Sequence, residues 1–170
     1  MRWNEVLNER GEAYLYHITN ADDAARIIYS NEMKPLTDHT INDMTGSKKA
    51  SEWGTVKGVS LTRDAAFSKI WRSGQGVVFV LDAQRLRHNV QLRPIDYYAN
   101  SPRRSGYGSV RSEAEEFAIG GIKNLDRYVV EIRISQQLYD ECVADNEEYL
   151  NPEEDSRYWY LTSSPKLKII

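Results

Sequence analysis

The sequence predicts an α+β domain built from short elements. Three observations carry that prediction. Short alternating or β-branched runs recur at 13–18, 58–61, 76–81 and 127–134. Segments with helix-cap chemistry and helical apolar spacing begin at Asn20, Thr62 and Ser135. Strands and helices do not alternate as a doubly wound sheet requires. The chain has 170 residues, 41% apolar and 28% charged, which suits one domain, 1–170, with its own core.

In chain order, residues 1–12 read as a short helix with Trp3, Val6 and Leu7 on one face. Ala13–Ile18 alternates and is rich in aromatics, so it reads as a strand. Thr19 and Asn20 supply a cap, Asp22 and Asp23 suit the first turn, and Ala24, Ile27 and Ile28 make the stripe of a helix ending near Asn31. Residues 35–57 read as a long polar loop, and long loops inside compact domains are often functional. Gly58–Leu61 is a short strand, and Thr62-Arg63-Asp64 opens a short helix through Trp71. Gly76–Leu81 is nearly all apolar, as expected of a central strand. Asp82 caps a turn containing Leu86, and Val90–Ile95 reads as an edge strand.

Residues 96–112 form a Gly/Ser/Arg-rich loop, and Glu113–Gly120 enters either a strand or a short helix. Arg127–Ile134 alternates strongly and is a strand. Ser135 caps a helix through Val143. The acidic 145–157 stretch reads as a loop and Tyr158–Leu161 as a last strand.

Several classes are excluded or disfavoured. No apolar run approaches the ~20 residues of a membrane span. The polar N-terminus lacks the apolar segment of a signal peptide. A single cysteine, Cys142, gives no disulfide framework, and His17, His39 and His88 lack metal-ligand spacing. A metal-free protein of the cytoplasm is the expectation. Net charge is −3, but it is unevenly spread. Arg85 to Arg111 carries six arginines and one aspartate, and Asp140 to Arg157 eight acids and one base. The basic segment suits an anionic partner, or it is a solvated loop whose arginines pair with the acidic stretch.

Three clusters can carry chemistry. His17 sits at a strand end just before a helix cap, where a rigid scaffold presents functional groups, or it is an ordinary half-buried histidine whose ring is hydrogen-bonded to backbone. Ser60-Leu61-Thr62-Arg63 sets two hydroxyls on one side of a strand beside a guanidinium, which suits a phosphate or a ribose, or merely opens the next helix. Glu113-Ala114-Glu115-Glu116 offers paired carboxylates for base work or for stabilising a developing cation, or else a solvated acidic start to the next element. No Gly-x-Gly-x-x-Gly or P-loop pattern is present.

Taken in order, these pieces resemble a family. A strand-end histidine (Leu15-Tyr16-His17-Ile18-Thr19), a Ser-x-Thr strand (Val59–Asp64), an apolar strand (Val77–Leu81) and a glutamate cluster (Arg111–Ile119) before Tyr128–Ile134 are similar to the ADP-ribosyltransferase fold, most of all to DarT-like and small phage-type members. The resemblance covers about residues 13–134. Two departures are visible: the middle motif is Ser-Leu-Thr rather than Ser-Thr-Ser, and the glutamate register reads as Glu113 with Glu115 or as Glu116 before Phe117-Ala118-Ile119.

The resemblance implies two small antiparallel or mixed sheets with a cleft between them and short flanking helices. It implies NAD as co-substrate, with His17 and Thr19 on the nicotinamide ribose, Ser60 and Thr62 supporting the nicotinamide pocket, and Arg63 near a phosphate. One of Glu115, Glu113 and Glu116 would be catalytic, Glu115 fitting the Glu-x-Glu spacing. It would hold the ribose 2′-hydroxyl and stabilise the oxocarbenium ion. The 96–112 loop would recognise the acceptor, a nucleic acid or a protein. Arg103, Arg104 and Arg111 would favour an anion there, and Tyr97, Tyr98 and Tyr107 would stack on a base or side chain. The 35–57 loop would lie over NAD. The reading from another class is a non-catalytic module of the same fold that binds a nucleotide, nucleic acid or host protein.

Overall fold

The computed structural model describes residues 13–35, 58–63, 73–95 and 115–170. The predicted helix over 1–12, most of the 35–57 loop, the helix after Thr62 and the 96–112 loop lie outside the described residues.

The elements run β1 (Tyr14–Thr19), α1 (Ala21–Ser30), β2 (Glu32–Met33), β3 (Gly58–Leu61), β4 (Val77–Asp82), α2 (Ala83–Asn89), β5 (Leu92–Ile95), β6 (Glu115–Ile119), β7 (Ile122–Lys123), a 3₁₀ turn (Leu125–Arg127), β8 (Val129–Ile134), α3 (Gln136–Glu147), α4 (Pro152–Asp155), α5 (Trp159–Thr162) and β9 (Leu167–Ile169). They form a four-stranded sheet in the order β1-β4-β8-β9, a three-stranded sheet in the order β3-β6-β5, and a small β2-β7 ladder. The ladders are antiparallel except β8-β9, which makes the larger sheet mixed.

β4 is central, as its apolar run predicts. Val77, Phe79 and Leu81 pack in the main core, and Val78 and Val80 are buried as well. Alternate residues of a strand point to opposite faces, so β4 is covered on both sides. Leu15 of β1, Ile132 and Ile134 of β8, Ala24 and Ala25 of α1, Leu138 and Cys142 of α3 and Leu161 of α5 join Phe79 in that core. The β4-β8 register shifts between Val80 and Leu81, so Val129 is buried while its neighbour Val130 is exposed.

The caps read from sequence are present. The Asn20 side chain accepts from the Asp23 amide, Asp82 from the Arg85 amide and Ser135 from the Leu138 amide. α1 ends at Asn31, which takes the left-handed conformation at φ 53°. The turn from β6 into β7 needs two glycines at φ 75° and 84°; a Cβ on Gly121 would stand 2.6 Å from the Met33 carbonyl oxygen.

The C-terminal quarter differs from expectation. Tyr158–Leu161 is not a strand: Trp159–Thr162 is helical, with the Thr162 amide on the Tyr158 carbonyl at 2.9 Å, and the last strand is Leu167–Ile169. Four residues are too few for periodicity to arbitrate, and burial of Leu161 against the core decides. The helix expected to stop at Val143 continues to Glu147, because Asn146 is buried and hydrogen-bonded to Thr162 and Ser156 rather than acting as a breaker. The 145–157 stretch is therefore not one loop: it holds the end of α3 and all of α4, which opens on Pro152. Glu113–Gly120 resolves as strand, over Glu115–Ile119.

Candidate active site at the seam between two sheets

The two larger sheets meet where β1 passes the end of β3. Tyr16 and Thr62 form an isolated antiparallel bridge, each amide donating to the other's carbonyl at 2.8 Å. One residue along, His17 Nδ1 lies 3.0 Å from the Ser60 carbonyl oxygen. A carbonyl only accepts, so Nδ1 carries the proton in this bond. Phe79 stands opposite His17 in the β1-β4 register, its ring centroid 6.3 Å from the imidazole.

Burial is the largest influence on His17 and pushes its pKa below the ordinary histidine value; the Ser60 carbonyl and the charge of Asp23 pull the other way without winning. The imidazole is thus neutral at pH 7, with Nδ1 protonated and Nε2 bearing a lone pair. Thr19 closes β1 opposite Val77, and Arg63 follows the bridge as a half-buried residue.

The glutamates enter on the neighbouring strand. β6 pairs with β3, Glu116 opposite Leu61 and Phe117 opposite Ser60, and with β5 on its other side, Glu115 opposite Ile95. By the period of two, positions 115 and 117 share the face of Ser60, and positions 116 and 118 share the face of Leu61. The buried residues Val59, Leu61 and Ala118 occupy the latter face.

β1, β3 with the two residues after it, and β6 therefore set His17, the Ser60–Arg63 segment and positions 115 and 116 on neighbouring segments. Glu113, Tyr98, Arg103, Arg104, Tyr107 and Arg111 lie outside the described residues. Sequence reasoning missed the part played by Tyr16. Its backbone makes the seam, and the Arg133 guanidinium lies over its ring at 5.9 Å. The alternation of 13–18 marks Tyr16 only as a strand residue, and a bridge to a segment more than forty positions away leaves no local signal. Arg133 is oriented by Glu131, whose carboxyl it holds below the usual carboxylate range through their hydrogen bond.

No family model matches the chain, and no curated protein matches it. Among solved structures it is similar to the DarT of Thermus sp. 2.9 in complex with ADP-ribosylated ssDNA. The TM-score is 0.55 at 12% sequence identity, over 94% of this chain and 95% of that one. Such a likeness speaks to the fold, and the fold of this chain is that of a DarT-like ADP-ribosyltransferase.

Proposed function

We propose that the chain is an NAD-dependent mono-ADP-ribosyltransferase acting on a nucleic acid or protein acceptor, with single-stranded DNA the first acceptor to test. The observation that carries this reading is the placement of His17, Ser60–Arg63 and positions 115 and 116 on neighbouring segments of a DarT-like fold.

The residues suit NAD. With its Nδ1 proton committed to Ser60, a neutral His17 offers Nε2 as an acceptor for a ribose hydroxyl. Ser60 and Thr62 bring hydroxyls, and Arg63 a cation suited to a pyrophosphate. Bound NAD supplies a good leaving group on its ribose, whose departure places positive charge on the anomeric carbon. A glutamate held beside that carbon stabilises charge that is absent from the ground state, which is how a fixed carboxylate lowers a barrier. The same group orients the attacking atom of the acceptor. The β6 register supports Glu115 for this role, because position 115 shares the face of Ser60 while position 116 shares the core face of Leu61. The complex of the Thermus protein with ADP-ribosylated ssDNA supports a nucleic acid as the acceptor class.

The test is nicotinamide release from NAD by the purified protein, with and without single-stranded DNA or protein acceptors. Glu115→Gln is expected to lower turnover by about 10²–10³-fold while NAD binding persists, and Glu116→Gln to have the smaller effect. Binding of NAD without turnover by the unaltered protein favours the non-catalytic module. Neither binding nor turnover under any condition overturns the proposal.

A further inference from the structure

A concave feature lies among the C-terminal helices. α3, α4 and α5 leave a groove of about 380 Å³ between them, open to solvent on one side. Tyr139, Val143, Pro152 and Trp159 give it apolar walls. On α3 the lining positions are 139, 143, 146 and 147, one stripe spanning two turns, or about 12 Å of helix axis.

Three polar side chains of the groove, Asn146, Thr162 and Ser163, are already engaged within the fold. Asn146 donates from Nδ2 to Thr162 Oγ1 at 2.8 Å and accepts at Oδ1 from Ser156 Oγ, and the Thr162 hydroxyl reaches the Tyr158 carbonyl at 3.1 Å. A small-molecule site needs convergent polar groups to orient its ligand. With those side chains engaged, the groove presents mostly carbon with Glu147 at its edge, which suits a row of apolar side chains from a docked helix.

Its surroundings are acidic. Glu147 lines its edge, Asp140 flanks the α3 stripe and Glu153 follows Pro152, and all three are exposed. Asp140 accepts from the neutral amide of Gln136, a partner that brings no opposite charge. Arg157, the sole base between 140 and 157, is turned to Asp22 at 3.3 Å and Asp145 at 3.6 Å. Such a rim repels phosphates and attracts lysine and arginine. We infer that this groove docks an amphipathic helix of a partner protein, apolar along one face and basic along its flanks.

Two synthetic helical peptides with the same leucine stripe, one flanked by lysines and the other by glutamates, serve as probes. Binding is read by fluorescence anisotropy against the full chain. The Leu/Lys peptide is expected to bind and the Leu/Glu peptide not to. Val143→Arg, which fills the groove with charge, and the exposed double change Glu147→Lys with Glu153→Lys are each expected to weaken binding about tenfold or more, with the circular dichroism spectrum unchanged. If Val143→Arg does not fold, the double change decides. No binding of the Leu/Lys peptide, equal binding of both peptides, or indifference to the decisive variants overturns the inference. So does a dimer in sedimentation that Val143→Arg disperses, which assigns the groove to a second copy, or single-stranded DNA binding that the same variant abolishes. None of these readouts involves NAD, so failure here is separate from failure of the transferase reading.

Discussion

At the scale of the residue, His17 couples site and stability. Its pKa is lowered by burial, so on acidification the unfolded chain takes up a proton before the folded one does. Stability is fully present above the ordinary value of 6.5 and falls as pH drops below it. Denaturant titrations between about pH 7.5 and about pH 5.5 are expected to give a declining stability that His17→Gln flattens. Equal slopes for both proteins would contradict the assigned neutral state. That His17 matters could be read from its place between a strand and a cap. That it is neutral could not, because the Ser60 carbonyl and the covering residues come from distant parts of the chain. The glutamate register shows the reverse case: the sequence leaves Glu115 and Glu116 open, and ladder partners alone separate them by face.

At the scale of the element, ends were more legible than identities. Asn20, Asp82 and Ser135 cap because a short side chain must satisfy orphan amides at each helix start, a local requirement with a local signature. Asn31 ends α1 for a local reason too, yet its second role is distant. Its Nδ2 donates to Asp126 Oδ1 and its Oδ1 accepts from the Asp126 amide, both at 2.8 Å, which ties α1 to the turn before β8. Asn31→Ala is expected to cost about 2 kcal/mol in urea denaturation, from left-handed strain and two lost hydrogen bonds. Asn31→Gly relieves the strain and is expected to cost about half as much. Equal losses would show that the backbone conformation contributes nothing. α5 was illegible because its aromatic residues favour strand locally and tertiary burial of Leu161 overrides them.

At the scale of the whole molecule, among the described residues the Tyr16–Thr62 bridge joins the β1 edge of one sheet to the β3 end of the other. Thr62→Pro removes one of its two donors. The Tyr16 amide keeps its own bond but loses the cooperative partner, and its hydrogen exchange is expected to quicken about tenfold. Unchanged protection of Tyr16 would mean that the sheets hold together without the bridge. The α+β class was legible because the number and brevity of the runs are properties of composition along the chain. The strand order was not, because β1, β4 and β8 find each other across gaps of some fifty residues or more. That order also governs how the protein is made. β4, the most apolar strand, has neighbours at 14–19 and 129–134 and no tight hairpin to either. On a ribosome, β4 must wait for about fifty further residues before its second partner emerges, several seconds at ordinary synthesis rates. During that interval an apolar, β-prone edge stands unpaired, so the nascent chain is a client for chaperones and a seed for aggregation when they are scarce.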